Sequence, residues 1–165
     1  MKETERKKKY GTIAFGLLFV LSLLMCFYPA NHPEAAEGAF NAGDLAWLIT
    51  ASAFVLIMTP GLSFFYGGMV NPKNIISTML QSFIALGVIS ILWFTVGFSL
   101  AFGESIGGII GNPTTYFLFN NVGTAPHPLI GSTIPFVLFA AFQLKFAIIT
   151  PALITGSFAE RVRFW

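Results

Sequence analysis

The chain has 165 residues, of which 55% are hydrophobic, 16% aromatic and 10% charged, and its formal net charge is +2. Soluble domains carry roughly 25% charged residues, so this composition, with a mean hydropathy of +0.76, excludes a soluble globular enzyme and a disordered chain. It also argues against a nucleic-acid surface, because five of the nine bases (Lys2, Arg6, Lys7, Lys8 and Lys9) are confined to one short head. An integral membrane protein remains, and at about 20 residues per spanning helix the chain holds a handful of spans.

Behind the basic head, Gly11 to Ala30 is a run of 20 residues without a charge. Head and run together read as the n-region and apolar core of a secretory signal, with an uncleaved signal anchor as the alternative. Cleavage after Ala30, Ala35 or Ala36 would put Tyr28, Pro33 or Glu34 three places upstream, and none of these is the small residue that processing favours. Residues 1–36 are therefore expected to be signal peptide or signal anchor, and 37–165 a membrane domain. The single cysteine, Cys26, permits no internal disulfide. The residues before it, Leu23-Leu24-Met25, do not suit lipidation.

Asn31 to Asp44 is a short polar linker. Three long apolar runs follow, at about 45–70, 75–102 and 132–159, each longer than the roughly 18 residues that mark a membrane span. The last is interrupted by Lys145 and the uncharged Gln143. None alternates with the period of two that a membrane β-barrel strand needs. The predicted class is all-α integral membrane, with three transmembrane helices after the signal or anchor. Lys73 in the first connection and Arg161 and Arg163 after the third run place those ends inside by the positive-inside rule. The loop Gly103–Gly131, free of Lys and Arg, then lies outside.

No enzyme constellation is present. His32 and His127 stand beside prolines in outer loops, without Cys or carboxylates at metal-ligand spacing. Ser63 and Ser157 have no base nearby in sequence, and a nucleophile without a base is not a catalytic site. Gly67-Gly68 and Gly107-Gly108 are not followed by the Lys-Ser/Thr of a phosphate loop; close helix packing and turns are their reading. Pro60-Gly61 predicts a shaped or kinked first span. Phe142 and Phe146, four apart, share one helix face. Two such rings are packing or lipid contacts, or an apolar plug whose faces attract a cation. Lys145 is an ionisable residue near mid-membrane. It lines an aqueous space, pairs with a carboxylate from another segment, or snorkels along a protein interface.

These residues resemble a known family. Pro60-Gly61-Leu62-Ser63-Phe64-Phe65-Tyr66-Gly67-Gly68-Met69-Val70 is similar to the end of the first helix of the ammonium transporters, the Amt/Mep/Rh superfamily. Trp93 through Ser99-Leu100-Ala101-Phe102-Gly103-Glu104 resembles the end of their second helix, and Ala141 through Glu160-Arg161 their third. The likeness covers about residues 43–165 and favours the bacterial and archaeal Amt branch. It implies an eleven-helix inverted-repeat transporter fold, of which this chain is the amino-terminal part. It also implies a homotrimer in the lipid bilayer of a prokaryotic cytoplasmic membrane, and no cofactor. A PII-type regulatory protein is an implied partner on the cytoplasmic face.

By the same resemblance, Phe146 matches the outer phenylalanine gate and Phe142 an aromatic contributor to the external recruitment site for ammonium. Lys145 departs from the family, whose residue at that place is small or apolar. Transport of ammonium as ammonia is the implied function. An ammonium-sensing receptor fused to a signalling module, and a small structural membrane subunit, are the alternatives.

Overall fold

The computed structural model describes residues 2–28, 30–36 and 39–161. Arg163, one of the bases used for topology, lies outside the described residues. In chain order the helices are α1 (Lys2–Phe27), α2 (Ala42–Met69), α3 (Ile75–Leu92), α4 (Phe98–Phe102) and α5 (Phe136–Phe158). One 3-10 turn, Pro72–Asn74, leads into α3, and a π-helical turn, Trp93–Gly97, joins α3 to α4. Pro72–Phe102 is thus one apolar rod of 31 residues, and with α2 and α5 it makes three helices long and apolar enough to cross a membrane. The apolar stretch of α1, Phe15–Phe27, is shorter.

Local chemistry sets the helix ends. Asn41 Oδ1 accepts the N–H groups of Gly43 and Asp44 at 2.8 and 3.2 Å, which caps α2. Asp44 in the first turn complements the helix dipole. Pro60 lies inside α2 and does not end it; the helix continues to Met69. Asn71 and Pro72 then open the next rod, with proline at a first-turn position whose N–H has no helical partner in any case. α5 begins at Phe136, later than the apolar run that starts at Ser132, because the preceding residues serve the α2 cap instead. The Asn41 N–H donates to Thr133 O at 3.0 Å, and Thr133 Oγ1 donates to Asp44 Oδ2 at 2.6 Å. Pro135 follows at the helix boundary.

α2, α3 and α5 all pack against one another. Their inner halves meet through small and hydroxyl-bearing residues: Thr59, Ser63 and Gly67 on α2, Thr78 and Ser82 on α3, and Ala152 and Thr155 on α5 are buried. Gly156 permits the closest approach, since a Cβ there would stand 2.6–2.7 Å from the Tyr66 ring. The Tyr66 hydroxyl donates across the same contact to Leu153 O at 3.0 Å. The hydroxyls of Ser63 and Thr155 donate to Met79 O and Ala152 O at 3.1 and 2.6 Å. Small residues that let backbones approach are the usual interface of membrane helices.

The outer half is built differently. Phe98 is fully buried at the centre of a ring cluster with Phe119 and Phe136, flanked by Trp93, Phe102, Tyr116 and Phe139. The outer loop adds a minimal antiparallel hairpin, β1 (Ser105–Ile106) and β2 (Ile110–Gly111). Gly107 and Gly108 turn it with φ of +63° and +75°, which glycine adopts without a Cβ penalty. This hairpin and a single bridge between His127 and Gly131 are the departures from an all-helical chain among the described residues.

Candidate functional site

Phe142 and Phe146 lie on successive turns of α5. Their ring centroids are 5.2 Å apart with planes at 76°, an edge-to-face pair. Such pairs are favoured by the ring quadrupoles. Phe142 is half-buried, whereas Phe146 is 41% exposed. Thr150 and Leu153, which continue the Phe146 face, are exposed as well. The pair therefore stands at the edge of the buried side of α5, with Ile149 three residues beyond Phe146 on the packed flank and Thr150 and Leu153 on the open one.

Lys145 points about 100° around the helix from Phe146, on the Phe142 side. It is three and four residues from Ile148 and Ile149, so it shares their packed stripe, and it is half-buried. Among the described residues it has neither a hydrogen bond nor an ion pair.

The turn that carries Phe142 is positioned from α3. The Trp93 indole N–H donates to Ala140 O at 3.2 Å, two residues before Phe142. Trp93 sits at the start of the π-helical turn, where the Phe98 N–H bonds Trp93 O. Thr95 Oγ1 donates to Ile91 O and Leu92 O, both at 3.0 Å, inside the same widened turn. The insertion also presents Phe94, which stacks on Phe119 with centroids 4.5 Å apart and planes at 21°. Sequence reasoning places Trp93 in a family motif but assigns it no contact. A π-helical turn has no hydropathy signature of its own, so only the presence of Gly97 hinted at a crowded backbone. A Cβ at Gly97 would lie 3.2 Å from Leu92 O.

Above the pair, Tyr116 joins the ring cluster to the outer loop. Its N–H donates to Ser99 Oγ at 2.6 Å, and its hydroxyl lies 3.3 Å from His127 Nε2. Leu129 N–H donates to His127 Nδ1 at 3.3 Å. That assigns the proton of the neutral ring to Nε2, which donates to the tyrosine oxygen. Burial, and then the Glu104 carboxylate, push the Tyr116 hydroxyl above the ordinary tyrosine range. His127 packs on Phe136 with centroids 4.8 Å apart, and His32 bonds Val122 O through Nδ1 at 3.1 Å. Both histidines are engaged in loop structure. No group of three or more His, Cys, Asp or Glu is arranged to hold a metal ion among the described residues. Ser157 donates to Ile154 O at 2.8 Å, within its own helix.

Two buried oxygens, Thr59 Oγ1 and Gln81 Oε1, have no hydrogen-bond partner among the described residues. Both belong to the α2–α3 hairpin; Thr59 immediately precedes Pro60, whose missing N–H already breaks the local ladder.

The Ammonium Transporter Family model matches residues 46–165. An ammonium transporter of Mycobacterium bovis is 45% identical over 141 residues, covering 77% of this chain and 29% of the relative. A putative ammonium transporter of Methanothermobacter thermautotrophicus is 43% identical over 125 residues, covering 75% of this chain and 30% of that one. The crystal structure of Candida albicans Mep2 matches with a TM-score of 0.63 and 32% identity, over 76% of this chain and 27% of Mep2. The chain thus spans about three-tenths of the length of the relatives it matches.

Proposed function

Because the chain belongs to the Ammonium Transporter Family, we propose that it is the amino-terminal part of a pore that takes up ammonium and passes ammonia across a cell membrane. It is a multi-pass membrane protein, with three apolar helices of spanning length. Its likeness to bacterial and archaeal transporters supports the cytoplasmic membrane of a prokaryote. The observation that carries the site assignment is the edge-to-face pair Phe142–Phe146 on α5, with Phe142 half-buried and Phe146 exposed.

The mechanism follows from solvation. A bare ammonium ion loses tens of kcal/mol of hydration on entering a low-dielectric medium by an idealised Born estimate. Phenylalanine faces return part of this through cation–π attraction, about 0.5–2 kcal/mol each. Phe142 supplies such a face at the outer mouth, and Phe146, one turn deeper, closes the path to the hydrated ion. Transfer of its proton to water at the outer mouth leaves neutral ammonia, which continues past Phe146 without the Born cost. The family resemblance also supports a homotrimer, with one path per subunit, and a PII-type regulator on the cytoplasmic side. No catalytic bond-making is assigned to the chain.

Full-length protein reconstituted in proteoliposomes should give an ammonium-dependent flux or current. Absence of flux from an oriented, trimeric preparation overturns the transport reading. Phe146→Ala should change conduction by about tenfold or more, in line with removal of one desolvated contact of about 1.4 kcal/mol. Unchanged conduction and affinity would mean that the ring only packs.

A further inference from the structure

The linker that joins the apolar head to α2 is not a passive spacer. Asn31 to Ala35 runs beside residues 120–125 of the outer loop and is hydrogen-bonded to them along its length. Asn31 N–H donates to Asn120 Oδ1 at 2.9 Å, and Asn121 N–H donates to Asn31 O at 2.7 Å. His32 Nδ1 lies 3.1 Å from Val122 O, Ala125 N–H donates to Pro33 O at 3.0 Å, and Ala35 N–H donates to Thr124 Oγ1 at 3.1 Å. Gly123 lets the two segments touch, since a Cβ there would overlap the Pro33 carbonyl oxygen. Gly123 O in turn accepts the Val137 N–H at 3.0 Å in the first turn of α5. The linker is thereby tied through the loop to the helix that carries Phe142 and Phe146.

The linker also covers apolar surface. It forms one wall of a cavity of about 600 Å³, with His32, Glu34 and Phe40 facing Phe94, Phe119 and Val137. Removing that wall would uncover Phe119, which is buried, and widen the exposure of Phe94 stacked on it.

We propose that Asn31–Ala36 is a retained structural segment of the mature protein, so that no processing cut falls within it or after it. Of the three small-residue processing points in the sequence, only the Ala30–Asn31 bond lies outside this clamp. Hydrolysis there adds one water, leaving a carboxylate on Ala30 and an ammonium group on Asn31. A membrane-bound signal peptidase is the enzyme class required. The new ammonium group still donates to Asn120 Oδ1, now as a charge-assisted bond. The cuts after Ala35 and Ala36 would instead remove every bond of the clamp. The inference rests on the linker's contacts and does not depend on what the pore carries.

The test is the intact mass and amino-terminal sequence of full-length protein purified from a prokaryotic membrane. The first residue should be Asn31 or one upstream of it, because an uncut chain also keeps the clamp. A chain beginning at His32 or any later residue overturns the proposal. A second measurement uses the Glu-specific site at Glu34. In the folded wild-type protein this bond should be cut slowly, and Gly123→Val, which displaces Pro33, should raise the rate at least tenfold. Should that variant fail to accumulate, Thr124→Val, which removes the acceptor for Ala35 N–H, should raise it about threefold. Cutting after Glu34 as fast in the wild type as in either variant also overturns the proposal.

Discussion

The outer and inner halves of the three-helix unit solve the same packing problem by opposite means. Outside, large rings crowd around Phe98 and the loops are pinned by hydrogen bonds. Inside, the helices meet through Ser63, Gly67, Thr155 and Gly156, with little side-chain bulk between them. The contrast follows the solvent. Near the outer water interface, ring burial and hydrogen bonding both lower the free energy. Deeper in lipid the surroundings are as apolar as a leucine side chain, so helices gain mainly by close contact. Hydroxyls there donate to nearby backbone carbonyls and so leave few polar atoms unsatisfied.

Five changes test this contrast. Phe98→Ala empties the outer cluster and should cost about 3–5 kcal/mol, read as a lowered unfolding temperature in detergent. A loss below about 1 kcal/mol would show that the ring cluster is not what holds the outer half. Lys145→Met, at the boundary between the halves, should improve insertion of the α5 segment by about 2.5–3.5 kcal/mol in a translocation assay. An unchanged insertion efficiency would show that the ammonium group already reaches water. Gly156→Val forces apart α2 and α5 at Tyr66 and should cost about 1–3 kcal/mol. If it unfolds the protein no earlier than the wild type, close approach is not the inner device.

Trp93→Phe keeps an aromatic ring, though a smaller one, and deletes the bond to Ala140 O. It should cost only about 0.6 kcal/mol in stability, while shifting the Phe142 turn enough to change ammonium affinity in the full-length transporter. The smallest effect concerns the inner connection. The Asn71 backbone N–H, and then the Asn74 side-chain amide, hold the Glu160 carboxyl below its ordinary range. A depressed carboxylate contributes stability above its unfolded value, about 4.3, and loses it as pH falls through the folded value. Wild type and Glu160→Gln should therefore differ slightly in unfolding temperature at neutral pH and converge as the pH falls through the lowered folded value. A difference that persists in acid would contradict the assigned cause.

Much of the fold was legible in the sequence because hydropathy and length report directly on membrane crossing. The three rods lie where the charge-free runs are, and Phe142 and Phe146 pair as a spacing of four requires. The family motifs marked the segments but not the forces between them. The late start of α5 was hidden because apolar Ile134 and Pro135 look like helix to a hydropathy window. They belong to a segment whose Thr133 is engaged with Asp44. The linker clamp joins residues about 90 positions apart in sequence. No local pattern can report such a pairing, and a polar stretch rich in Pro, Asn and Ala reads as a spacer. Lys145 was visible as a lone charge, whereas the side it faces depended on which residues of α5 were buried.

The widened turn at Trp93–Gly97 has a consequence for how this chain tolerates insertions and deletions. A turn closed by a bond from residue 98 to residue 93 holds one residue more than its α-helical equivalent. Everything beyond it, Phe98 and Ser99 included, is rotated by about 100° from where an uninterrupted helix would put it. Deleting a single residue between Trp93 and Phe98 would turn the same closing bond into a regular α-helical one and leave Phe98 in the ring cluster, whereas regularising the turn with all five residues kept would swing Phe98 out. What the outer half needs at this point is the phase of the chain beyond the turn, which a four-residue α-turn would keep and a regular five-residue one would lose.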